Sequence, residues 1–566
     1  MAALHDEEVL VLDAQTTSSS PTTGHLIELG WARVAGDDPV TVACQPIGIP
    51  EDVGLPRAVR RVTGISREDL EGAPDEEAAW RALRRASGDP AAPQPTVIHF
   101  ARFELSFLRP LQRRLEPGQD FPFEVVCTHQ IACRLHPDLP RRNLRAMAGY
   151  YGFNPDLLRR SEGHVRATAH VWRRMSVELA AREGITAWPE LRRWLADTNP
   201  QPRRPRTRGY PMLRAQRLAL PDRPGVYRFR REGEGLLYIG KAKSLRKRVN
   251  SYFTKRRGHD ERLLEMLSQA KVIDATETHT ALEAAVLETD EIKAHRPPYN
   301  KALRHEVREV WFARPDLSEM ARTPNEAFSV GPLPSRWSLR SFQSLCALLD
   351  RDDLTSSSRD DRNRAMGAGA QAWWEGPQDD EFNAGLALFF RRHETITSSP
   401  VRGPLLRLSR KLAALDRRGR LDRGPRNVPP GPRPWDPERV ARHLERVTLQ
   451  MGQQLRRARW LTLLSESVVA WHEPGQTARR QIIVAGGRVV SKSFVPPERP
   501  LPAPPGAALA PGARRLNFID IHTYDRLRVL STELKRLCRD CDDVAVRISL
   551  GRPYEGPRLR RLLEAG

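Results

Sequence analysis

The sequence feature that most restricts the fold is a pattern at residues 224–253, where two apolar and aromatic segments flank a glycine turn. The segments read PGVYRF at 224–229 and LLYIG at 236–240. Two such runs around a glycine-containing turn predict a β-hairpin. A helix is expected to follow over 245–253, with Ser244 as its N-cap.

The helix after the hairpin has two distinct faces. Leu245 and Val249 lie four residues apart and predict packing against the hairpin. Arg248 and Tyr252 are also four residues apart, so they share a neighbouring face. A second helix is predicted over 280–295, and it ends before the segment RPPYN. Hairpin and helices together predict a small α+β domain.

These segments resemble the GIY-YIG nuclease domain of UvrC, one of the proteins of the UvrABC excinuclease. GVY at 225–227 stands where the family has Gly-Ile-Tyr, and YIG at 238–240 is the second triplet intact. LYIGKAKSLRKRV at 237–249 is similar to the UvrC version, and VLE at 286–288 and PYN at 298–300 follow in order. One triplet alone would be a weak signal, but five ordered pieces within about 80 residues are specific.

The resemblance implies a metal ion and two basic side chains at the reacting phosphodiester. Cleavage needs a metal, a base for water, and cations that stabilise the developing charge. The counterpart of Glu288 binds a single Mg²⁺ or Mn²⁺ in the family, and we expect that cofactor here. Lys241 and Arg248 are expected to contact the scissile phosphate, by point charge and planar fork respectively. The alternatives are a solvated helix glutamate and ordinary surface cations.

Two tyrosines compete for the role of general base. An unperturbed tyrosine has a pKa of about 10, which makes it a poor base at neutral pH, although a nearby lysine and a metal favour the phenolate. The UvrC resemblance implies Tyr238, whereas other GIY-YIG enzymes imply Tyr227, and either residue could be an ordinary strand aromatic. The resemblance also implies that Tyr252 assists through its hydroxyl and that Asn300 orients the loop after the metal-bearing helix.

The N-terminal part alternates predicted strands and helices, which is typical of an α/β domain. VLVLD at 9–13 and LIELGWARV at 26–34 predict buried strands. Three further segments resemble the DnaQ-like exonucleases of the DEDDh type, which have an RNase H-like fold: DAQTT at 13–17, VTGIS at 62–66 followed by AP, and HFARFELSFL at 99–108. The resemblance covers roughly residues 8–175.

The acids that this exonuclease family requires are incomplete. The family holds two divalent metals on four carboxylates, and a histidine activates the attacking water. Asp13 is retained, Gln15 replaces the second acid with a neutral amide, and Glu104 is longer than the third by one methylene. The fourth acid should lie near His164 and His170, but none is present there, and His164 matches the base. We therefore expect an inactive domain that serves DNA binding or scaffolding.

Length and proline-rich segments divide the chain. A chain of 566 residues exceeds the usual size of one core. We predict a multidomain α/β and α+β protein with the following parts: an RNase H-like exonuclease-type α/β domain at 1–185, a Pro/Arg-rich linker at 186–210, a GIY-YIG α+β domain at 211–305, a mostly helical accessory region at 306–430, and a mixed α/β region at 431–566.

The chain after residue 305 carries weaker signals than the parts before it. Helices are predicted at 335–349, 381–392, 437–463 and 523–537, strands at 468–473 and 481–484, and a hairpin at 482–490 around Gly486 and Gly487. Leu527, Leu530, Leu534 and Leu537 have helical spacing and indicate a core stripe. Cys538 and Cys541 supply two of the four ligands that a zinc or iron–sulfur centre needs, so we expect no metal there.

Composition narrows the partners. There are 92 Lys and Arg against 70 Asp and Glu, a net charge of +22, which favours polyanions such as nucleic acid. The alternative is arginine enrichment from a high-GC genome. Six cysteines do not make a disulfide scaffold. An acidic start argues against a signal peptide, and no stretch of about 18 apolar residues indicates a membrane helix. We expect a cytoplasmic, nucleoid-associated protein with no membrane partner.

The expected function is that of a DNA repair endonuclease. UvrC also has a second, RNase H-like nuclease half and helix-hairpin-helix modules. The sequence shows no convincing trace of either. Members of the family of Cho, a UvrC homologue, have only the GIY-YIG activity, and this chain resembles them in that respect. This resemblance implies one metal-dependent incision on the 3′ side of a lesion in double-stranded DNA, with UvrA and UvrB as partners. Two alternatives remain open: a proofreading-type 3′–5′ exonuclease with a GIY-YIG passenger, and a noncatalytic DNA-binding adaptor.

Overall fold

The fold is given by a computed structural model, which divides the chain into two compact units. The residues that it describes are 3–87, 92–154, 158–197, 209–254, 259–301, 308–349, 379–394, 401–417, 420–421, 435–473, 476–506, 516, 519–541, 543–548 and 551–564. The first unit comprises residues 1–279 and 295–301, and the second comprises 280–294 and 302–566. Among the described helices, none combines the length and the apolar character needed to span a bilayer.

The N-terminal sheet has five strands: β1 Val9–Thr16, β2 Leu26–Val34, β3 Ala43–Pro46, β4 Gln94–Ile98 and β5 Phe123–Cys127. Their order is β3-β2-β1-β4-β5. β1 pairs antiparallel with β2, and parallel pairing joins β1 to β4 and β4 to β5. Val9 and Val11 enter one core while Leu10 and Leu12 enter another, because side chains alternate along a strand. β1 is therefore buried on both faces.

Helices cover both faces of this sheet: α1 Arg57–Thr63, α2 Glu76–Ala86, α3 Ala101–Leu115, α4 Thr128–Leu135, α5 Leu144–Tyr150, α6 Ser161–Glu183 and α7 Trp188–Ala196. The predicted α/β domain and the strand at 26–34 are confirmed. The predicted linker at 186–210 differs from the structure, since α7 occupies its first part. Trp188 and Leu191 of α7 are buried in the domain core, which explains why this segment is helical. Residues 198–208 of that linker lie outside the described residues.

The next sheet has three strands, β6 Gly225–Arg230, β7 Leu236–Ala242 and β8 Val272–Glu277, in the order β7-β6-β8. All pairs are antiparallel. The helices of this part are α8 Arg214–Leu218, α9 Leu245–Thr254 and α10 Glu261–Gln269. The predicted hairpin and the helix after it are confirmed. Leu245 and Val249 are fully buried in the core that contains the hairpin side chains, as their spacing predicts.

The second unit begins with α11 Ala281–His295, apart from its last residue, and continues through the accessory region. The helix after that region is α15 Pro437–Leu464, and the region itself contains α12 Arg340–Leu349, α13 Asp379–Arg392 and α14 Arg402–Arg417. It also contains a small sheet that the sequence analysis did not predict: β9 Trp311–Ala313, β10 Met320–Ala321 and β11 Val330–Leu333, in the order β10-β9-β11.

The C-terminal sheet has five antiparallel strands: β12 Ser467–His472, β13 Arg479–Ala485, β14 Arg488–Val495, β15 Ala545–Arg547 and β16 Tyr554–Glu555. Its helices are α16 Ile521–Asp540 and α17 Gly556–Glu564. The predicted hairpin is confirmed, and both turn glycines have positive φ. The order β14-β13-β12-β15-β16 repeats that of the N-terminal sheet, but the fourth strand runs antiparallel to the third, so the topologies differ.

Candidate active site

The hairpin β6–β7 gathers three tyrosines, Tyr227, Tyr238 and Tyr252, which we call the tyrosine cluster. Tyr227 pairs with Gly240 across the hairpin. The hydroxyls of Tyr227 and Tyr252 are hydrogen-bonded at 2.7 Å, and the ring centroids of Tyr227 and Tyr238 are 6.2 Å apart. Tyr252 reaches the strands because α9 carries it one turn beyond Arg248 on the same face, as the sequence predicts.

Gly240 is required by the close approach of Tyr227. A Cβ atom added to Gly240 would lie 2.4 Å from the Tyr227 hydroxyl oxygen and 2.8 Å from Cε1 of Tyr238. Cβ contacts this short do not occur without displacement of the neighbour. The glycine of the YIG triplet therefore gives the Tyr227 hydroxyl its place between the strand and α9.

Burial separates the two candidate bases. Tyr227 is fully buried. Burial, with contributions from Tyr252 and Tyr238, raises the pKa of Tyr227 well above its usual value. Tyr238 is only half-buried, so its hydroxyl is the more accessible of the two to a solvent nucleophile. Tyr227 is consequently a neutral hydrogen-bonding group, and Tyr238 is the better candidate base.

The two basic residues occupy different positions. The guanidinium carbon of Arg248 lies over the Tyr252 ring, 4.8 Å from its centroid. Burial alone would lower the pKa of Arg248, but the neighbouring tyrosines Tyr227 and Tyr252 outweigh it and raise that pKa. Lys241 pairs with Val226 on the hairpin, and strand alternation turns both to the face opposite Tyr227. The structure thus joins Arg248, but not Lys241, to the tyrosine cluster.

Asn300 holds the outer edge of strand β7. Its Oδ1 accepts a hydrogen bond from the backbone N–H of Ile239 at 3.0 Å, and its Nδ2 donates to the carbonyl of Ile239 at 2.8 Å. The amide completes the strand edge as a neighbouring strand would, because it satisfies both the donor and the acceptor. Ile239 is the middle residue of the YIG triplet, so the contact fixes Tyr238. The predicted loop-orienting role of Asn300 is, in the structure, a strand-fixing role.

Glu288 lies on α11, in the second unit, and is half-buried. Another face of α11 packs on the C-terminal region through Leu282 and Val286. Ion pairs join the same face to that region: Glu283 with Arg480 at 2.8 Å, Asp290 with Arg526 at 2.7 Å, and Lys293 with Asp525 at 2.8 Å. At 3.6 residues per turn, Glu288 points about half a turn away from that face. These three ion pairs hold the helix through side chains other than Glu288.

A half-buried single carboxylate fits Mg²⁺ or Mn²⁺. Mg²⁺ gives up its waters reluctantly and is commonly held by one or two carboxylates together with substrate phosphates. Among the described residues, no three His, Cys, Asp or Glu side chains are grouped closely enough to hold a metal ion. A cation at Glu288 would therefore complete its coordination shell with water and phosphate oxygens.

The N-terminal domain brings together most of its predicted site residues, and Gln15 and His164 both contact the carboxylate of Asp13. Asp13 accepts from the Gln15 amide at 2.7 Å on one oxygen and contacts Nδ1 of His164 at 3.0 Å with the other. Burial alone would lower the pKa of His164, but the ion pair with Asp13 outweighs it and raises that pKa. The Asp13 charge is therefore compensated within the protein.

The other two predicted residues of this domain differ from each other. Glu104 is buried, and burial followed by repulsion from Asp13 raises its pKa well above the usual value. The charged form of Glu104 is therefore disfavoured. His170 is not part of the group, since its Nε2 contacts the backbone carbonyl of Tyr151 at 2.9 Å and burial lowers its pKa. We call Asp13, Gln15, Glu104 and His164 the carboxylate cluster.

Sequence reasoning missed two residues that bear on the hairpin. Tyr299 precedes Asn300, and its backbone N–H donates to the carbonyl of Leu237 at 3.1 Å. Glu265 of α10 accepts a hydrogen bond from the Tyr299 hydroxyl at 2.7 Å. Tyr299 stood within the recognised PYN segment, which was a usable signal. Glu265 had none, because its partners are distant in sequence.

The hairpin lined with tyrosines is the feature that places this part of the chain in the nuclease class. Residues 223–301 match the family model described as the UvrC-like GIY-YIG domain. The resemblance predicted for this part of the chain is confirmed: the chain contains a UvrC-like GIY-YIG nuclease domain, which follows an α/β domain.

Relatives support both parts. The chain is 30% identical over 349 residues to a putative bifunctional exonuclease/endonuclease protein of Mycobacterium tuberculosis, covering 59% of this chain and 51% of that one. It is 45% identical over 95 residues to UvrABC system protein C of Salinibacter ruber, 17% of this chain and 15% of the relative. The chain thus spans about half, or much less, of the length of these relatives.

A solved structure is also similar. The magnesium-bound GIY-YIG N-terminal endonuclease domain of UvrC from Thermotoga maritima is 36% identical and matches 15% of this chain and 93% of that domain. The TM-score is 0.14, so we base the assignment on the sequence matches instead.

Proposed function

We propose that this protein is a metal-dependent DNA endonuclease that cuts one strand on the 3′ side of a lesion. The observation that supports this best is the fixed position of Tyr238. Asn300 holds both backbone groups of the adjacent Ile239, and the buried hydroxyl pair of Tyr227 and Tyr252 lies beside it. A half-exposed tyrosine on a rigid strand is suited to accept a proton from water once its hydroxyl has lost its own proton to solvent and is a phenolate.

The proposed roles follow from burial and charge. Tyr238 is the general base, and Tyr227 stays neutral and orients Tyr252 through the 2.7 Å hydrogen bond. Arg248 contacts the scissile phosphate, where a planar guanidinium can make two hydrogen bonds. Lys241 acts on the DNA backbone from the opposite face of the hairpin.

Glu288 is the proposed metal ligand. Bound Mg²⁺ or Mn²⁺ would supply electrostatic stabilisation of the developing negative charge. The family model spans Tyr238 and Glu288 together, which supports their joint assignment. The orientation of Glu288 away from the ion-paired face of α11 is consistent with this role.

The carboxylate cluster favours the endonuclease over the exonuclease alternative. Two metals need concentrated negative charge. Here Asp13 is compensated by Gln15 and His164, and burial together with the nearby Asp13 raises the pKa of Glu104, which disfavours its charged form. We propose that this domain does not hydrolyse DNA.

Damaged double-stranded DNA is the proposed substrate, and UvrA and UvrB are the proposed partners. The net charge of +22 supports binding to a polyanion. The relatives named UvrABC system protein C support the partners. The proposed place of action is the nucleoid in the cytoplasm.

The test is nicking of supercoiled and of site-specifically damaged DNA, with and without UvrA and UvrB. Glu288→Gln should reduce nicking by about 10³-fold because the metal is lost, while DNA binding persists. Glu319→Gln, at an exposed position outside α11, is the control and should change the rate by less than about twofold.

Each other outcome contradicts the proposal in its own way. Nicking at the wild-type rate by Glu288→Gln would remove the metal role. Shortening of end-labelled strands without nicking would favour the exonuclease, and binding without any cleavage would favour the adaptor. Incision that ignores UvrA and UvrB would remove the proposed partners.

A further inference from the structure

The exonuclease-type domain packs directly against the GIY-YIG domain through α5 and α10. A Cβ atom on Gly149 would lie 1.8 Å from Oε1 of Gln269, so only glycine permits this approach. Gln269 is fully buried. The backbone N–H of Arg141 donates to Oγ of Ser268 at 2.9 Å. The contact is therefore close and specific.

One carboxylate in this interface bonds to both domains. Oε2 of Glu265 accepts a hydrogen bond from Nδ2 of Asn143 at 2.7 Å, and Oε1 accepts from the hydroxyl of Tyr299 at 2.7 Å. Asn143 is the N-cap of α5, because its Oδ1 accepts from the backbone N–H of Ala146. Glu265 thus links the start of a helix in one domain to a tyrosine in the other.

Tyr299 continues the linkage to the catalytic strand. Its hydroxyl also accepts from Nε2 of Gln269 at 2.6 Å, and its backbone N–H donates to Leu237. Asn300, the next residue, holds Ile239. Burial, followed by the nearby carboxylate of Glu265, raises the pKa of Tyr299, so the hydroxyl remains a donor at ordinary pH. Each contact is a hydrogen bond with both partners identified.

We propose that Glu265 and Tyr299 are positioning residues, through which the exonuclease-type domain sets the place of strand β7 and of Tyr238. This inference rests on the proposed function of Tyr238. It gives the exonuclease-type domain a role in the incision reaction that needs none of the acids of its own carboxylate cluster. Small displacements of a reacting group lower the reaction rate, so hydrogen bonds that fix the position of β7 affect catalysis.

The experiment uses the full chain with Tyr299→Phe, Glu265→Met and the double variant. Tyr299→Phe keeps the ring and removes the hydroxyl. The matched control is Glu261→Gln, which removes the interface ion pair with Arg141 on the same helix but does not contact Tyr299. Hydrogen exchange of the peptide covering 236–242 reports on β7, and plasmid nicking gives kcat and KM.

The expected result is faster exchange of 236–242 and a kcat about tenfold lower at unchanged KM in either single variant, since the hydrogen bond between Tyr299 and Glu265 is lost in both, together with one further bond in each. The double variant should be no worse than the single variants, because both break the same chain of contacts. Glu261→Gln should leave exchange at 236–242 and kcat within about twofold of wild type.

Unchanged exchange at 236–242 in both single variants would overturn the proposal, as would a loss of kcat equal to that of the Glu261→Gln control. A change in KM alone would also overturn it, because the residues would then act on DNA binding. If the wild-type chain does not nick DNA, the proposed function fails. The exchange measurement still shows whether Glu265 and Tyr299 fix the position of strand β7.

Discussion

The tyrosine cluster of the GIY-YIG domain and the carboxylate cluster of the exonuclease-type domain are both built from buried or half-buried polar groups. They differ in the hydrogen-bond partners and the exposure of their polar groups. In the carboxylate cluster, Asp13 is saturated by Gln15 and His164. In the tyrosine cluster, the buried hydroxyls satisfy each other, and Tyr238 remains partly exposed beside them. The contrast is between a carboxylate with a protein partner on each oxygen and a tyrosine whose side chain is partly exposed to solvent.

The sharpest test of this difference is to remove one reactive atom from each cluster. Tyr238→Phe should lower nicking by about 10³-fold, the usual contribution of general acid–base catalysis. Asp13→Asn should leave nicking within about twofold, because its charge is already compensated inside the protein. Plasmid nicking by both variants measures this, and equal losses would erase the distinction between the clusters.

Packing around the tyrosine cluster gives the next effect. Gly240→Ala should destabilise the protein by about 2–3 kcal/mol, because its Cβ meets the buried Tyr227. Gly54→Ala is the matched control, since a Cβ there meets nothing within 4 Å. Urea-induced unfolding measures both. A Gly240→Ala variant as stable as the control would mean that the cluster is loosely packed.

Replacement of the Gln15 amide in the carboxylate cluster should change the free energy of unfolding somewhat less. Gln15→Glu removes the donor to Asp13 and sets two carboxylates together, at a cost of about 2 kcal/mol. Mn²⁺ should restore part of that stability in the variant only. Gln119→Glu, at an exposed position, is the control. Urea midpoints of both variants, measured with and without Mn²⁺, test this expectation. A Gln15→Glu variant as stable as wild type would show that the Gln15 amide does not compensate the charge of Asp13.

The smallest expected effect is on the pH dependence of the free energy of unfolding, through His164 of the carboxylate cluster. The pKa of His164 is raised in the folded protein, so its stabilising contribution is present below its unfolded pKa and is lost as pH rises through the folded value. The stability difference between wild type and His164→Gln should therefore shrink as pH rises from below about 6.5, the ordinary histidine pKa, through the higher pKa of the folded protein.

His170→Gln is the control with the opposite sign. The pKa of His170 is lowered, so its protonation favours the unfolded chain at low pH. Urea midpoints across the pH range measure both variants. Parallel profiles for the two variants would contradict the assigned ion pair.

The sequence by itself determined the hairpin, the helix after it, and the N-terminal strands. Those features depend on local periodicity and turn chemistry, as with Leu245 and Val249 or the strand at 26–34, and the structure confirms them. The retained and missing acids near Asp13 were also readable residue by residue. In these cases the physics acts over a few neighbours along the chain.

Only the tertiary structure decided which groups meet across long separations. It buried Tyr227 and left Tyr238 half-exposed, placed the amide of Asn300 on Ile239, and joined Glu265 to Asn143 across two domains. It also turned Lys241 to the opposite face of the hairpin. Burial and hydrogen-bond partners set the protonation and position of a side chain, and they depend on residues that sequence spacing does not bring together.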